Sequence, residues 1–451
     1  MKKVFLKKSI LLLLVLCAGV GLVWSLLSMD LVSTKYHFQT ITKVCIIAFP
    51  VVLLLFGNLM LFRGRRFADR ICGVLGISLT RRRIKRINDN KESRFFMLSQ
   101  TDKRMEGKVE KFADDGTMSM QEFCERFRQY AASKLKLYYN IADIRRFVAG
   151  MSVSHILIMQ GMSGTGKTSL AYAFGEFLQN HSTIVPIQPM WKERTDLIGY
   201  YNEFTNKFNE TVLLQKMYEA NYSKNIYVTV LDEMNIARVE YYFAEFLSLL
   251  EIPNPEGRYL DVVTDKKKKD PKKLKNGQLK LPTNMWFVGT INNDDSTFAV
   301  SDKVYDRAMV MNLDSKAEIF ETEDKEEVKI SVDYWEKMVK RARSEYRLTE
   351  RAKRKIEKID QYLVDHFHIT FGNRIMKQIN QYVPVVIACG GEESEAIDDI
   401  LAKKVLRKLE SQNPIYIRNS VDGLKDYLDE VFGQDKMVCC KDYLTNLGRT
   451  A

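Results

Sequence analysis

The stretch Gly161-Met-Ser-Gly-Thr-Gly-Lys-Thr168 decides the fold. It has the spacing G-x-x-x-x-G-K-[ST], follows the apolar run His155-Ile-Leu-Ile-Met-Gln160, and leads into Ser169-Leu-Ala-Tyr-Ala-Phe-Gly-Glu-Phe-Leu178, which reads as a helix. Strand, glycine-rich turn and helix in that order make a cradle for phosphate. Gly161, Gly164 and Gly166 let the backbone N–H groups turn inward, with Met162, Ser163, Thr165 and Ser169 completing the loop. The helix adds its positive end to the same spot. Lys167 is the cation for the β- and γ-phosphates, and the Thr168 hydroxyl is a candidate Mg²⁺ ligand.

Working outward, Tyr227-Val-Thr-Val-Leu-Asp-Glu233 is an apolar strand ending in two adjacent acids, about sixty residues further on. Asp232 is placed to hold Mg²⁺ through its water shell, and Glu233 to act on a water in line with the γ-phosphate. Met285-Trp-Phe-Val-Gly-Thr-Ile-Asn292 is a further strand whose last residue, Asn292, belongs beside that water. Ser301-Asp-Lys-Val-Tyr-Asp-Arg307 follows, and from Ser331 onward apolar residues recur at helical spacing.

The N-terminal side has a different character. Ser9–Met29 carries no charged residue inside its apolar run before Asp30, and Val44–Phe62 is a second such run. Each is long enough to cross a bilayer as one helix. Lys2, Lys3, Lys7 and Lys8 precede the first and Arg63, Arg65 and Arg66 follow the second, which places both ends of the hairpin in the cytoplasm. A cleavable secretory signal has the same basic-then-apolar form, but the bulky Leu16 beside Cys17 does not suit lipoprotein cleavage. The basic stretch that follows, including Arg81-Arg-Arg-Ile-Lys-Arg86, reads either as a contact to anionic head groups or as a solvated linker. Asp102–Gly116 reads as a polar loop. Ser119 then caps a helix over 120–139 that carries Phe123, Phe127 and Tyr130, and a shorter helix follows over 141–148.

Composition bounds the rest. The 451 residues leave room for two or three domains, and the 46% hydrophobic and 28% charged content describes a folded chain with net charge +12. Seven cysteines without C-x-x-C spacing give neither a disulfide framework nor a zinc site. Tyr259–Val263 and Gln278–Pro282 read as a hairpin with a lysine-rich tip formed by Lys266, Lys267, Lys268, Lys269, Lys272, Lys273 and Lys275. That tip is either a solvated loop or a contact for phosphates or an acidic partner. No L-S-G-G-Q signature, Ser-His-Asp arrangement, metal cluster or protease motif is present, and the five histidines are scattered.

Taken together, the strands with their terminal Asp-Glu and Asn and the later Asp-Arg resemble the AAA+ ATPases. Leu231-Asp-Glu-Met-Asn-Ile-Ala237, Gly289-Thr-Ile-Asn292 and Asp302-Lys-Val-Tyr-Asp-Arg-Ala308 resemble more narrowly the McrB-like, dynein-related branch, to which MoxR and midasin are close. The resemblance implies an α/β fold: a P-loop three-layer parallel-sheet core with a C-terminal helical lid, here preceded by two transmembrane helices. The corresponding divisions are a hairpin at 1–66, a basic linker at 67–118, the nucleotide-binding domain at 119–320 and the lid with C-terminal helices at 321–451. It implies Walker A roles for Lys167 and Thr168, Walker B roles for Asp232 and Glu233, sensor 1 for Asn292 and an arginine finger at Arg307. Arg374, in Phe371-Gly-Asn-Arg-Ile-Met376, resembles a sensor 2 residue, and Trp191–Asn221 would hold the insert in the second helix. Family members form rings, commonly hexamers, in which the finger enters the neighbour's site. Asn292-Asn-Asp-Asp-Ser296 has Ser296 where an Arg linked to GTP would fall, so ATP is expected before GTP. The expectation is a two-pass ATPase of the inner or plasma membrane, facing the cytoplasm and in contact with lipid, that remodels or threads a protein partner. The alternatives are a nucleic-acid motor of a defence or restriction-like system, and a slow nucleotide-gated scaffold.

Overall fold

The computed structural model describes residues 93–114, 117–292, 297–314 and 316–450. Both apolar runs near the N-terminus, Ser9–Met29 and Val44–Phe62, lie outside the described residues, as do positions 293–296. Among the described residues, no helix is long and apolar enough to cross a membrane.

Helices α1 (Met97–Met105), α2 (Met120–Leu135) and α3 (Ile141–Val153) lead into β1 (Ile156–Gly161) and α4 (Lys167–Phe177). Next come β2 (Thr183–Pro186), the short α5 (Arg194–Ile198), a hairpin of β3 (Gly199–Asn202) and β4 (Lys207–Glu210), and α6 (Val212–Ala220). The chain continues through β5 (Tyr227–Asp232), α7 (Val239–Tyr242) and α8 (Ala244–Glu251). A small antiparallel sheet of β6 (Tyr259–Asp261), β7 (Leu274–Lys275) and β8 (Gln278–Lys280) precedes β9 (Met285–Asn292), α9 (Asp302–Tyr305) and β10 (Met309–Asn312). The C-terminal part is helical: α10 (Val332–Glu345), α11 (Glu350–Phe367), α12 (Gly372–Ala388), α13 (Glu393–Ile400), α14 (Pro414–Phe432) and α15 (Val438–Thr450). A π turn at Leu401–Val405 interrupts it after α13.

The central sheet runs β10-β1-β9-β5-β2, with every pairing parallel. Its strands are apolar on both faces, as a sheet covered by helices on both sides requires. Leu157, Met159, Val228, Val230, Trp286 and Val288 face one core, which holds α2, α3, α4 and the C-terminal helices. Ile156, Ile158, Tyr227, Leu231, Phe287 and Ile291 face the other, under α6, α7 and α8. This period-2 alternation makes the three layers. Register sets Gly161 beside Asn292 and Leu231 beside Gly289, so the polar strand ends gather at one edge of the sheet. Gly289 lets Met234 pack close against the strand, since a Cβ there would fall 2.0 Å from the Met234 sulfur and push that side chain away.

Helix boundaries follow from caps. The Ser119 hydroxyl accepts the N–H of Glu122 at 3.1 Å and starts α2, while Ser331 does the same for Tyr334 at α10. The helix expected over 120–139 stops at Leu135, where Lys136 turns left-handed (φ 57°), and the one expected over 141–148 extends to Val153.

Two expectations are corrected. The folded body does not begin at 119, and the polar loop from Asp102 starts inside a helix. Glu210 accepts the N–H groups of Phe96, Met97 and Leu98 at 2.6–2.9 Å, which nucleates α1. Asp102 on that helix accepts the hydroxyls of Tyr218 and Tyr222, both at 2.5 Å, and the Lys272 N–H at 3.0 Å. Arg94, almost fully buried, bonds Asp265 at 2.6 Å and Asp270 at 2.8 Å. The second correction concerns the lysines. They do not cap a single hairpin, because 264–273 folds back onto α1 and α6, and the tight turn is instead Asn276-Gly277 between β7 and β8. Both turn residues have positive φ (52° and 83°), the geometry a two-residue hairpin loop demands. Lys272 pairs with Glu106 at 2.6 Å, Lys273 lies over the Tyr222 ring, and Lys267 donates to the Tyr201 hydroxyl at 3.2 Å.

Candidate active site

The phosphate loop occupies the turn from β1 into α4. Gly161 has φ +144°, and a Cβ there would meet the Leu313 carbonyl at 2.5 Å, so the loop presses against the end of β10. Lys167 is 5% exposed and folds back over the loop, donating to the carbonyls of Gly161 (3.0 Å) and Met162 (2.7 Å). Burial lowers the pKa of its ammonium, against the opposing pull of Asp314, Asp232 and Glu233. The carbonyls it now holds are interchangeable with phosphate oxygens as acceptors. From α3's side, the Tyr139 hydroxyl donates to the Gly166 carbonyl at 3.0 Å and braces the last turn of the loop.

The acids meet the loop through a short chain of bonds. Thr168 donates to Asp232 Oδ1 at 2.7 Å, and Thr290 donates to the same oxygen at 2.9 Å. Thr290 in turn accepts the Glu233 N–H at 2.9 Å, and Asn292 donates to the Glu233 carboxylate at 3.3 Å. Glu233 is left-handed (φ 52°, ψ 49°), a conformation costing a non-glycine residue about 1–2 kcal/mol. The Thr290 and Asn292 contacts hold it there, turning its side chain off the strand. A hydroxyl and a carboxylate in contact at a helix N-terminus fit a hard divalent cation, so Thr168 and Asp232 have the donor chemistry for Mg²⁺.

The two expected arginines are elsewhere. The Arg307 carbonyl accepts from Ser154, just before β1, which puts this residue at the opening end of the sheet. The phosphate loop is at the closing end, about 16 Å away along the six residues of β1. Arg374 does not reach its own chain's loop either. Both arginines bond one carboxylate, Glu251 at the end of α8: Arg307 at 2.6 Å and Arg374 at 2.5 Å. Together with Arg258, Asp306, Lys377 and His155 they line an open cleft of about 610 Å³.

The turn carrying Arg307 is bracketed by the C-terminal helices. Lys404, on the π turn, donates to the carbonyls of Tyr305 and of Ala308 (2.7 Å), on either side of Arg307. Burial drives its pKa down to about 7. Gln378 donates to the Asp306 carbonyl at 3.3 Å, and Arg407 pairs with Asp302 and covers the Tyr305 ring at 3.9 Å.

Comparison with known proteins agrees with this geometry. Residues 156–308 match the AAA domain of the dynein-related subfamily. The chain is a nucleoside triphosphatase. Residues 323–444 match a domain of unknown function, DUF8727, which spans the helices that carry Arg374 and Lys404. No curated protein matches. The crystal structure of a candidate ATPase from Cytophaga hutchinsonii ATCC 33406 is similar at a TM-score of 0.43 and 11% identity, over 73% of this chain and 94% of that one.

The sequence motifs single out Lys167, Thr168, Asp232, Glu233 and Asn292, which the structure brings together. Thr290, Glu251, Lys404 and Tyr139 fall outside those motif positions. Thr290 was open to discovery, since strand alternation sets it on the same face as Asn292 and beside the aspartate. Glu251 and Lys404 carry no local signal.

Proposed function

We propose that this ATPase works as a ring, with each subunit's Arg307 and Arg374 acting on the nucleotide held by the next, and that the ring is anchored in a membrane. One observation carries the ring reading: a phosphate-binding end and an arginine end at opposite edges of the same sheet, too far apart for one chain to complete its own site. Arg307 is half-buried and lines an open cleft, so a second copy can reach it. ATP is the preferred nucleotide. Mg²⁺ held by Thr168 and Asp232 supplies charge neutralisation of the phosphates when bound. Lys167 grips the terminal phosphates, Glu233 accepts a proton from the attacking water, and Asn292 orients both carboxylate and water. A cation arriving from a neighbour stabilises developing charge and ties turnover to assembly.

The bilayer hairpin at 1–66 and the cytoplasmic-side setting rest on the apolar runs and their flanking charges. A protein partner, remodelled or threaded by the ring, fits this better than nucleic acid does, because Lys267, Lys272 and Lys273 are engaged within the chain. Hydrolysis per subunit should rise with protein concentration, and Arg307→Ala should lose hydrolysis while still binding nucleotide. A rate per subunit that is constant down to the most dilute sample, with Arg307→Ala fully active, sinks the ring. Extraction of the chain from membranes by alkaline wash alone sinks the anchor. Nucleic acid rather than protein recovered with full-length Glu233→Gln in detergent sinks the choice of partner.

A further inference from the structure

We infer that Glu251 is a positioning residue that turns Arg307 and Arg374 into one receptor for the terminal phosphate of a neighbouring copy's nucleotide; this rests on the ring reading above. The carboxylate gives one oxygen to each arginine, Oε2 to Arg307 and Oε1 to Arg374, each through a single Nη2. A guanidinium has five donors, so both retain N–H groups for a further anion. One negative charge between two positive ones leaves the pair net cationic, while removing the repulsion that would splay them apart. The cleft follows the same arithmetic: the cations Arg258, Arg307, Arg374 and Lys377 outnumber the acids Glu251 and Asp306 by two.

Local preference runs against this placement. Glu251 is the last residue of α8, where the partial negative end of the helix disfavours a carboxylate. A residue that conflicts with its local setting and yet collects two long-range partners, Arg307 56 positions away and Arg374 123 positions away in the chain, is held for what those partners do. Arg307 is pinned further by its Nη1 bond to the Lys303 carbonyl at 2.6 Å. Its Nε–H is buried without a hydrogen-bond partner among the described residues, so the guanidinium is fixed from behind by few bonds, of which Glu251 supplies the charged one. Removing the carboxylate therefore costs the pair its spacing and leaves the phosphate loop of the same subunit untouched.

The test uses the full-length chain and three variants. Glu251→Gln should bind a fluorescent ATP analogue as wild type does, which also establishes its fold, and hydrolyse ATP with kcat lowered tenfold or more at unchanged KM. Glu251→Asp should recover part of the rate. Mixing Glu251→Gln with Lys167→Ala, whose arginines are intact but whose phosphate loop is dead, should restore hydrolysis. Mixing Arg307→Ala with Lys167→Ala is the reference. If the reference mixture stays dead, the ring reading fails. If the reference recovers while Glu251→Gln alone runs at or above the wild-type rate, the positioning role is overturned and the ring reading stands. If the reference recovers but the Glu251→Gln mixture does not, Glu251 serves its own subunit's fold and the inference falls.

Discussion

The two edges of the central sheet are built on different plans. At the phosphate edge, Thr168, Asp232, Thr290, Glu233 and Asn292 form one chain of hydrogen bonds beside Lys167, all at strand ends or at the turn and helix start that follow one. At the arginine edge, Arg307, Glu251, Arg374 and Lys404 come from four separate elements, two of them in the C-terminal helices. The first edge is fixed by strand register, with Tyr139 bracing the loop. The second exists only once the C-terminal helices have docked on the sheet. The phosphate-binding groups thus lie within the α/β layer, whereas the placement of the arginine pair depends on the helical part.

The sharpest break between the edges is kinetic. Arg307→Ala is expected to lower kcat about 10³-fold with ATP affinity unchanged, measured by steady-state hydrolysis beside nucleotide-binding titration. Loss of both together would mean that the arginine edge also builds the binding site. Glu233→Gln should cost about 10²-fold in kcat and retain bound nucleotide, because it removes proton acceptance without moving the loop. Thr290→Val deletes the acceptor for the Glu233 N–H and the second donor to Asp232. About tenfold in kcat is expected, in line with the ~1–3 kcal/mol of an unpaired buried donor. A Thr290→Val enzyme at full speed would show that strand register alone holds Glu233.

The smallest effect belongs to Lys404. Lys404→Met should lower kcat only a few-fold through the Arg307 turn, and it should change the pH dependence of stability. The folded-state pKa of about 7 lies below the unfolded value near 10.5. Between these pH values the unfolded chain holds more protons, so the Lys404 contribution to stability rises with pH from about 7 upward. Urea midpoints measured from pH 6.5 to 9.5 should climb in wild type and flatten in Lys404→Met. Parallel curves would assign the slope to other groups.

The same contrast explains what could be read before the structure. The phosphate edge is written in contiguous motifs: a glycine-rich loop, an acid pair at a strand end and an asparagine at another. The parallel sheet is what the AAA+ resemblance implies, and its strand order was not read from the residues. The arginine edge was half legible. Arg307 and Arg374 were found by likeness, but their shared carboxylate was not, because Glu251 sits in an ordinary amphipathic segment with nothing nearby to mark it. The 264–273 segment was misread for a different reason. Its lysines suggested a solvated tip, whereas the buried acids Asp102 and Asp270 and the Asn276-Gly277 turn direct the chain back onto the body. The Asn-Gly pair was the available signal.

Arg94 has a consequence for how load enters the molecule. It is clasped by Asp265 and Asp270 and flanked by the Tyr201 ring of the β3–β4 hairpin. Tension applied to the polypeptide at residue 93 is delivered first to the lysine segment and that hairpin, and only afterwards to the sheet. Whatever tugs on the chain at that point is thereby geared to these two segments before it reaches the strands that carry the catalytic acids.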